Sequence, residues 1–176
     1  MRLFAAIPVP KEAHGAIARA AAPLQEAMGV RALSPSNWHI TLLFLGEVPD
    51  GKVGEIGRAL SAVEFAPFSI TLSKRGAYPN ERFPRAIWVG GESAEAAKLA
   101  QKVEQALLPL GFRGDGKPFY AHATVARSRG AGDIEDFLKG QEGICSFEVR
   151  AFTLMKSTLM AHEARYDVLR EFAAKA

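Results

Sequence analysis

The sequence predicts an α+β fold built on antiparallel strand pairing. Strand-like and helix-like segments alternate along the 176 residues. Several neighbouring strand-like segments have no helix between them, which favours antiparallel partners over the crossover connections of a parallel sheet. A short pattern, His-x-Thr-apolar, also occurs once in each half, at His39–Leu42 and at His122–Val125. A duplicated unit predicts two similar lobes facing each other across a cleft.

The elements follow in order. Leu3–Ile7 reads as a buried first strand. Lys11–Met28 is Ala-rich and reads as a helix ended by Gly29. Trp38–Leu45 is strongly β-like and is closed by Gly46; Asp50–Val63 reads as a second helix with Asp50 as N-cap. Phe68–Lys74 and Ala86–Val89 read as strands. Ser93–Leu108 reads as a helix, capped by Ser93 and stopped by Pro109. Ala121–Ala126 is a short strand and Ile134–Leu138 a helical turn. Phe147–Ser157 holds one or two strands, and Arg165–Phe172 is the last.

Composition narrows the class. The chain is 48% hydrophobic and 23% charged, enough apolar material for one packed domain over 1–176 and too much for a disordered chain. Gly and Pro are scattered without period, so a collagen-like or coiled-coil rod is excluded. The single cysteine, Cys145, cannot form an intrachain disulfide and reads as a small core residue. No apolar run is long enough to cross a bilayer, so no membrane partner is expected. Pro8, Pro10 and Lys11-Glu12 spoil the start as a signal peptide, and the expected location is the cytoplasm. The net charge of +3 permits a nucleic-acid or phosphate substrate without demanding one.

The two His-x-Thr copies carry the chemistry. Two such matches by chance in a chain this poor in His and Thr are about a one-in-a-hundred event. In a strand, His39 and Thr41 point the same way, as do His122 and Thr124, with Cα atoms roughly 6.5–7 Å apart. An imidazole and a hydroxyl at that spacing can converge on one small anion. Two facing dyads would surround one phosphate. A phosphodiester can then be cleaved in line, one imidazole taking a proton from the nucleophile and the other giving one to the leaving oxygen. The hydroxyls hold the non-bridging oxygens as charge develops. Spacing alone does not say which histidine is acid and which is base.

Rival uses of these residue types find less support. Thr is a poor zinc ligand, and no HExxH, Cys-x-x-Cys or acidic cluster has ligand spacing. Gly111–Gly116 is glycine-rich, but Lys117 is followed by Pro118, so it reads as a turn and not a P-loop. His14, in the Ala-rich helix, and His162, in the Met160–Arg165 turn, read as structural or solvated.

Taken together, the two motifs about eighty residues apart resemble the 2H phosphoesterase superfamily, and within it the RNA 2′,3′-cyclic phosphodiesterases, or 2′-5′ RNA ligase family. The similarity runs through Arg2–Ile7, Asn37–Glu47, Phe83–Gly90, Pro118–Arg127 and the ending with Leu154, Ser157, Leu159 and Arg165-Tyr166. The resemblance implies a bilobal α+β fold, two antiparallel sheets facing across a central cleft with helices packed outside. It implies hydrolysis of RNA 2′,3′-cyclic phosphate ends to 2′-phosphomonoesters, without metal or nucleotide cofactor. Carried over, His39 is the proton donor to O3′ and His122 the proton acceptor from water, while Thr41 and Thr124 hold the phosphate. Some members also run the step backwards and join RNA ends through a 2′-5′ bond. A monomer acting on RNA or an oligonucleotide end is the expectation.

Arg127 stands where the family often has an arginine, five residues after the second His. Strict alternation would put it on the wrong face, so it reaches the phosphate only if the strand ends or bulges near Ala126. Ala121 and Ala123 make the second block less bulky than the family's pattern. For grip beyond the phosphate, Phe4, Phe119 or Tyr120 could stack a base, and Arg75, Arg82 or Arg85 could meet RNA phosphates, although most of these aromatics read as core. Two other readings stay open: a small cyclic phosphate or 2′-5′ oligonucleotide as substrate, and a non-catalytic module that binds RNA ends.

Overall fold

The computed structural model describes residues 1–175. It contains strands β1 (Arg2–Pro8), β2 (Val30–Ala32), β3 (His39–Glu47), β4 (Phe68–Leu72), β5 (Lys74–Tyr78) and β6 (Ala86–Gly91). Strands β7 (Ala121–Ser128), β8 (Cys145–Val149), β9 (Ala151–Leu159) and β10 (Ala164–Ala173) follow. The helices are α1 (Lys11–Ala21), α2 (Val53–Ser61), α3 (Ala94–Leu107) and the one-turn α4 (Glu135–Leu138). Every strand pair is antiparallel, as the sequence predicts. No helix among the described residues is long and apolar enough to cross a membrane.

The main sheet runs β10-β9-β1-β3-β7-β6-β5, with β2 paired to the end of β7. It is two half-sheets in series. One half is β10-β9-β1-β3 and the other is β7-β6-β5. They are bridged by one residue pair, Ile40 opposite Ala123. A separate two-stranded sheet, β4-β8, completes the architecture.

Each motif strand alternates, then breaks its alternation. In β3, Ile40 is buried while His39 and Thr41 are partly exposed; in β7, Ala123 is buried while His122 and Thr124 are partly exposed. The core therefore lies on one side of the sheet and both dyads on the other. Along β1, Ala5 faces Leu43 but Ala6 faces Thr41, so Leu42 is an extra residue in β3. Along β6, Ile87 faces Ala126 but Trp88 faces Thr124, so Val125 is an extra residue in β7. Each bulge places two successive residues in the core, Leu42 and Leu43 or Val125 and Ala126.

Helix lengths follow local chemistry. The Ala-rich helix stops at Ala21, because Pro23 opens a short 3₁₀ turn over Ala22–Leu24 and cannot donate into the α-helical ladder. The stop at Gly29 is therefore too late by several residues. Asp50 starts a 3₁₀ turn ahead of α2, and its side chain caps nothing. Ser93 does cap α3, its Oγ accepting from the Ala96 N–H at 3.1 Å. The run read as one strand over Phe68–Lys74 changes sheets at Ser73, pairing with β8 before it and with β6 after it. Gly91 permits the crossing: a Cβ there would lie 2.2 Å from the Thr71 carbonyl oxygen.

Candidate active site

Both histidines are fixed by the same local device. His39 Nδ1 lies 2.7 Å from the Asn37 carbonyl oxygen, and His122 Nδ1 lies 2.9 Å from that of Tyr120. A carbonyl only accepts, so each Nδ1 carries the proton and donates it. In a neutral ring, Nε2 is then left bare. Asn37 is itself tied down, its side-chain amide donating to the Ala164 carbonyl at 3.1 Å. The β9–β10 turn thus helps to hold the loop that holds His39.

The strand bridge brings the dyads together. One step either side of the Ile40–Ala123 pair, antiparallel register sets His39 across from Thr124 and Thr41 across from His122. All four line one open cleft of about 540 Å³, and Arg127 lines it too. The extra residue Val125 turns Arg127 back onto the dyad face, which satisfies the condition its sequence position set. Leu42 does the same for Phe44, which is 70% exposed and lines the cleft.

The surroundings are aromatic and tune both rings. Phe4 and Tyr166 pack on His39 at ring distances of 4.8 and 4.9 Å. Tyr78 meets the His122 ring edge-on at 5.1 Å, with Trp88 at 5.9 Å. Burial pushes the His39 pKa down to about 4 from 6.5; the Asn37 hydrogen bond opposes this, and the nearby Arg127 and His122 charges add to it. Burial also lowers His122, against the pull of its bond to Tyr120. Burial in the cleft therefore disfavours cationic imidazoles, and an anion between them would stabilise them.

Other candidates sort differently. His14 bonds to no cleft group: its Nε2 meets the Val9 carbonyl at 3.0 Å and its ring meets Trp38, a structural position. His162, read from sequence as structural or solvated, lines the open cleft. Phe4 belongs to the cleft wall although buried, and Phe119 and Tyr120 line a second cleft beside it. Arg75 stacks on Phe137 and Arg82 on Phe83. These two and Arg85 line neither cleft. Cys145 is half-buried, and burial raises its thiol pKa. Sequence reasoning missed Phe44 and Asn37 as single residues. The usable signal for Phe44 is its place five residues after His39, matching Arg127 after His122.

Comparison with known proteins gives this geometry a family. The LigT-like phosphoesterase model matches residues 7–88. An RNA 2′,3′-cyclic phosphodiesterase of Archaeoglobus fulgidus is 40% identical, the match covering 98% of this chain and 99% of the relative. The crystal structure of TT0787 of Thermus thermophilus superposes with a TM-score of 0.87 at 30% identity, over 98% of this chain and 97% of that one. E. coli LigT complexed with 3′-AMP gives 0.84 at 25% identity, over 99% and 98%. With its two dyads on one cleft and its likeness running the length of these proteins, the chain belongs to the LigT-like phosphoesterases.

Proposed function

We propose that this phosphoesterase hydrolyses 2′,3′-cyclic phosphate ends of RNA or oligonucleotides to 2′-phosphomonoesters. The observation that carries the reading is the pair of His-Thr dyads on one cleft, each imidazole holding its Nδ1 proton on a carbonyl two residues back. The name of the A. fulgidus relative and the nucleotide in the E. coli LigT complex favour this substrate class.

In the proposed reaction, water attacks phosphorus on the side opposite O3′. His122 takes the water proton at Nε2, and His39 gives a proton from Nε2 to O3′ as the P–O3′ bond breaks. Thr41, Thr124 and Arg127 hold the non-bridging oxygens. His39 takes its proton from solvent as the substrate binds, because the negative charge of the substrate offsets the burial that otherwise keeps the ring neutral. Acid and base work rests on the imidazoles. An alcohol replacing water would give a 2′-5′ linkage by the same proton transfers.

The test is turnover of a 2′,3′-cyclic-phosphate oligonucleotide in excess EDTA. His39→Ala and His122→Ala should each lose about 10²- to 10⁴-fold. A substrate with sulfur in place of O3′ assigns the roles, because a thiolate leaves without protonation. It should rescue His39→Ala and not His122→Ala. Rescue of His122→Ala alone would reverse the assignment, and full activity of both variants in EDTA would remove the two-histidine reading.

A further inference from the structure

Arg31 lines the open cleft, and the reaction as proposed gives it no task. It lies on β2, directly opposite Arg127 in the β2–β7 ladder. Residues opposite each other in an antiparallel pair share a face, with Cβ atoms roughly 4.5–5.5 Å apart. Their neighbours Val30 and Ser128 point the other way, onto Gly132, where an added Cβ would lie 2.7 Å from the Val30 side chain and 2.8 Å from the Ser128 hydroxyl. The Leu33 N–H donates to the Val125 carbonyl at 2.9 Å, so β2 is fastened to the same bulge that turns Arg127. The two arginines therefore stand side by side on the dyad face.

Like charges directly opposite repel, and a guanidinium does not shed its charge to relieve the repulsion. Among the described residues neither arginine forms an ion pair. Glu163 is the one carboxylate lining the cleft, and it accepts from the Asn37 amide at 3.4 Å instead. The remaining arginine of the lining, Arg2, lies 3.9 Å from Glu47. An anion is what offsets such a pair. The reacting phosphate satisfies Arg127, and the charge on Arg31 calls for a second anion.

A chain end supplies that anion and a lone nucleotide does not. The terminal nucleoside of a chain carries a phosphodiester on its O5′, whereas a nucleoside 2′,3′-cyclic phosphate carries a free hydroxyl there. We infer that Arg31 holds this 5′-side phosphodiester while Arg127 holds the reacting phosphate, so that the site prefers the end of a chain to a nucleoside 2′,3′-cyclic phosphate. This rests on the proposed hydrolysis of cyclic phosphate ends. Arg31 makes and breaks no bond; it is a specificity contact one phosphate removed from the chemistry. Its planar fork can present two N–H donors to two non-bridging oxygens, as a lysine cannot.

The experiment compares kcat/KM on three substrates: adenosine 2′,3′-cyclic phosphate, the dinucleotide ApA ended by a 2′,3′-cyclic phosphate, and the same dinucleotide with an uncharged methylphosphonate linkage. Wild type should prefer the charged dinucleotide. Arg31→Ala, at an exposed position, should lower kcat/KM for that dinucleotide about tenfold more than for the mononucleotide, the scale of one hydrogen bond between charged groups. The methylphosphonate should cost wild type the same factor and cost Arg31→Ala nothing further, because the contact is already gone. Arg31→Lys, which keeps the charge without the fork, should recover part of the preference. Equal losses on all three substrates would put Arg31 at the reacting phosphate or in the fold. A loss on the methylphosphonate dinucleotide as large as on the charged one would move the contact to sugar or base. Either result, or a preference that ignores Arg31, would overturn the inference and leave the hydrolytic function standing. Failure of wild type to turn over any of the three would overturn the function first and this inference with it.

Discussion

Phe44 and Arg127 occupy corresponding places in the two half-sheets, each five residues after its histidine and each turned into the cleft by a one-residue bulge. The bulge recurs in the two motif strands, but the side chains that it turns differ. One strand presents an aromatic ring and the other a guanidinium. The cleft is thereby lined unequally, with a cation on the His122 strand and an apolar face on the His39 strand.

Arg127 should be a phosphate contact, with little effect on folding. Its side chain is exposed, so Arg127→Ala should leave the thermal midpoint nearly unchanged. The loss of a guanidinium facing developing charge should lower kcat/KM by about 10²-fold. Steady-state kinetics beside a melting curve would check this. Wild-type kinetics in Arg127→Ala would place the bulged arginine outside the reaction.

Anion binding should take up a proton. Burial keeps His39 neutral above about pH 4. A phosphate-like anion raises that value, so between the free and bound pKa values affinity should rise as pH falls, by up to about tenfold per pH unit. Calorimetry with 2′-AMP in two buffers of different ionisation enthalpy would count the proton. His39→Gln should reduce that count, and an undiminished count would assign the uptake elsewhere.

The same imidazole should make stability depend on pH. Its folded pKa lies below its unfolded value of 6.5, so the unfolded chain binds the proton first. The contribution of His39 is therefore fully present above about pH 6.5 and is lost as pH falls toward 4. The gap corresponds to at most about 3 kcal/mol. Urea unfolding at pH 7 and pH 4.5 should show a smaller loss for His39→Gln than for wild type. Equal losses would refute the assignment.

Gly90 should be intolerant of even a methyl group. A Cβ there would stand 2.6 Å from the Ala121 carbonyl oxygen, 2.9 Å from the Tyr120 ring and 3.1 Å from the His122 Cβ. Gly90→Ala should push β7 away from β6, costing about 1–3 kcal/mol of stability, the usual range for overpacking. It should also slow turnover by displacing His122. Unfolding curves and the His122 ring resonances would report both effects, and an unshifted His122 resonance would contradict the displacement.

What is legible in the sequence is what a strand decides locally. His39 and Thr41 share a face because alternation is a property of neighbouring residues, and His122 and Thr124 follow the same rule. Arg127 lies beyond that rule, because its direction depends on one extra residue against a distant strand. Phe44 lies in an apolar run, and its turn into the cleft likewise depends on an extra residue set against a distant strand. β2 and β5 escape a sequence reading: Val30–Ala32 is too short to show a period, and Lys74–Tyr78 lacks an alternating pattern. The place of His162 on the cleft depends on how the β9–β10 turn folds back. The second cleft depends on how two strands diverge, which no local pattern encodes.

The one-rung joint between the half-sheets has a mechanical consequence. Ile40 and Ala123 form a fulcrum, and the four dyad side chains stand immediately around it. A small rocking of one half against the other would be read there first, as a change in the gap between two imidazoles. With a single rung between the half-sheets, the spacing of the two imidazoles is fixed by how the halves pack on the shared core and not by a ladder of backbone hydrogen bonds.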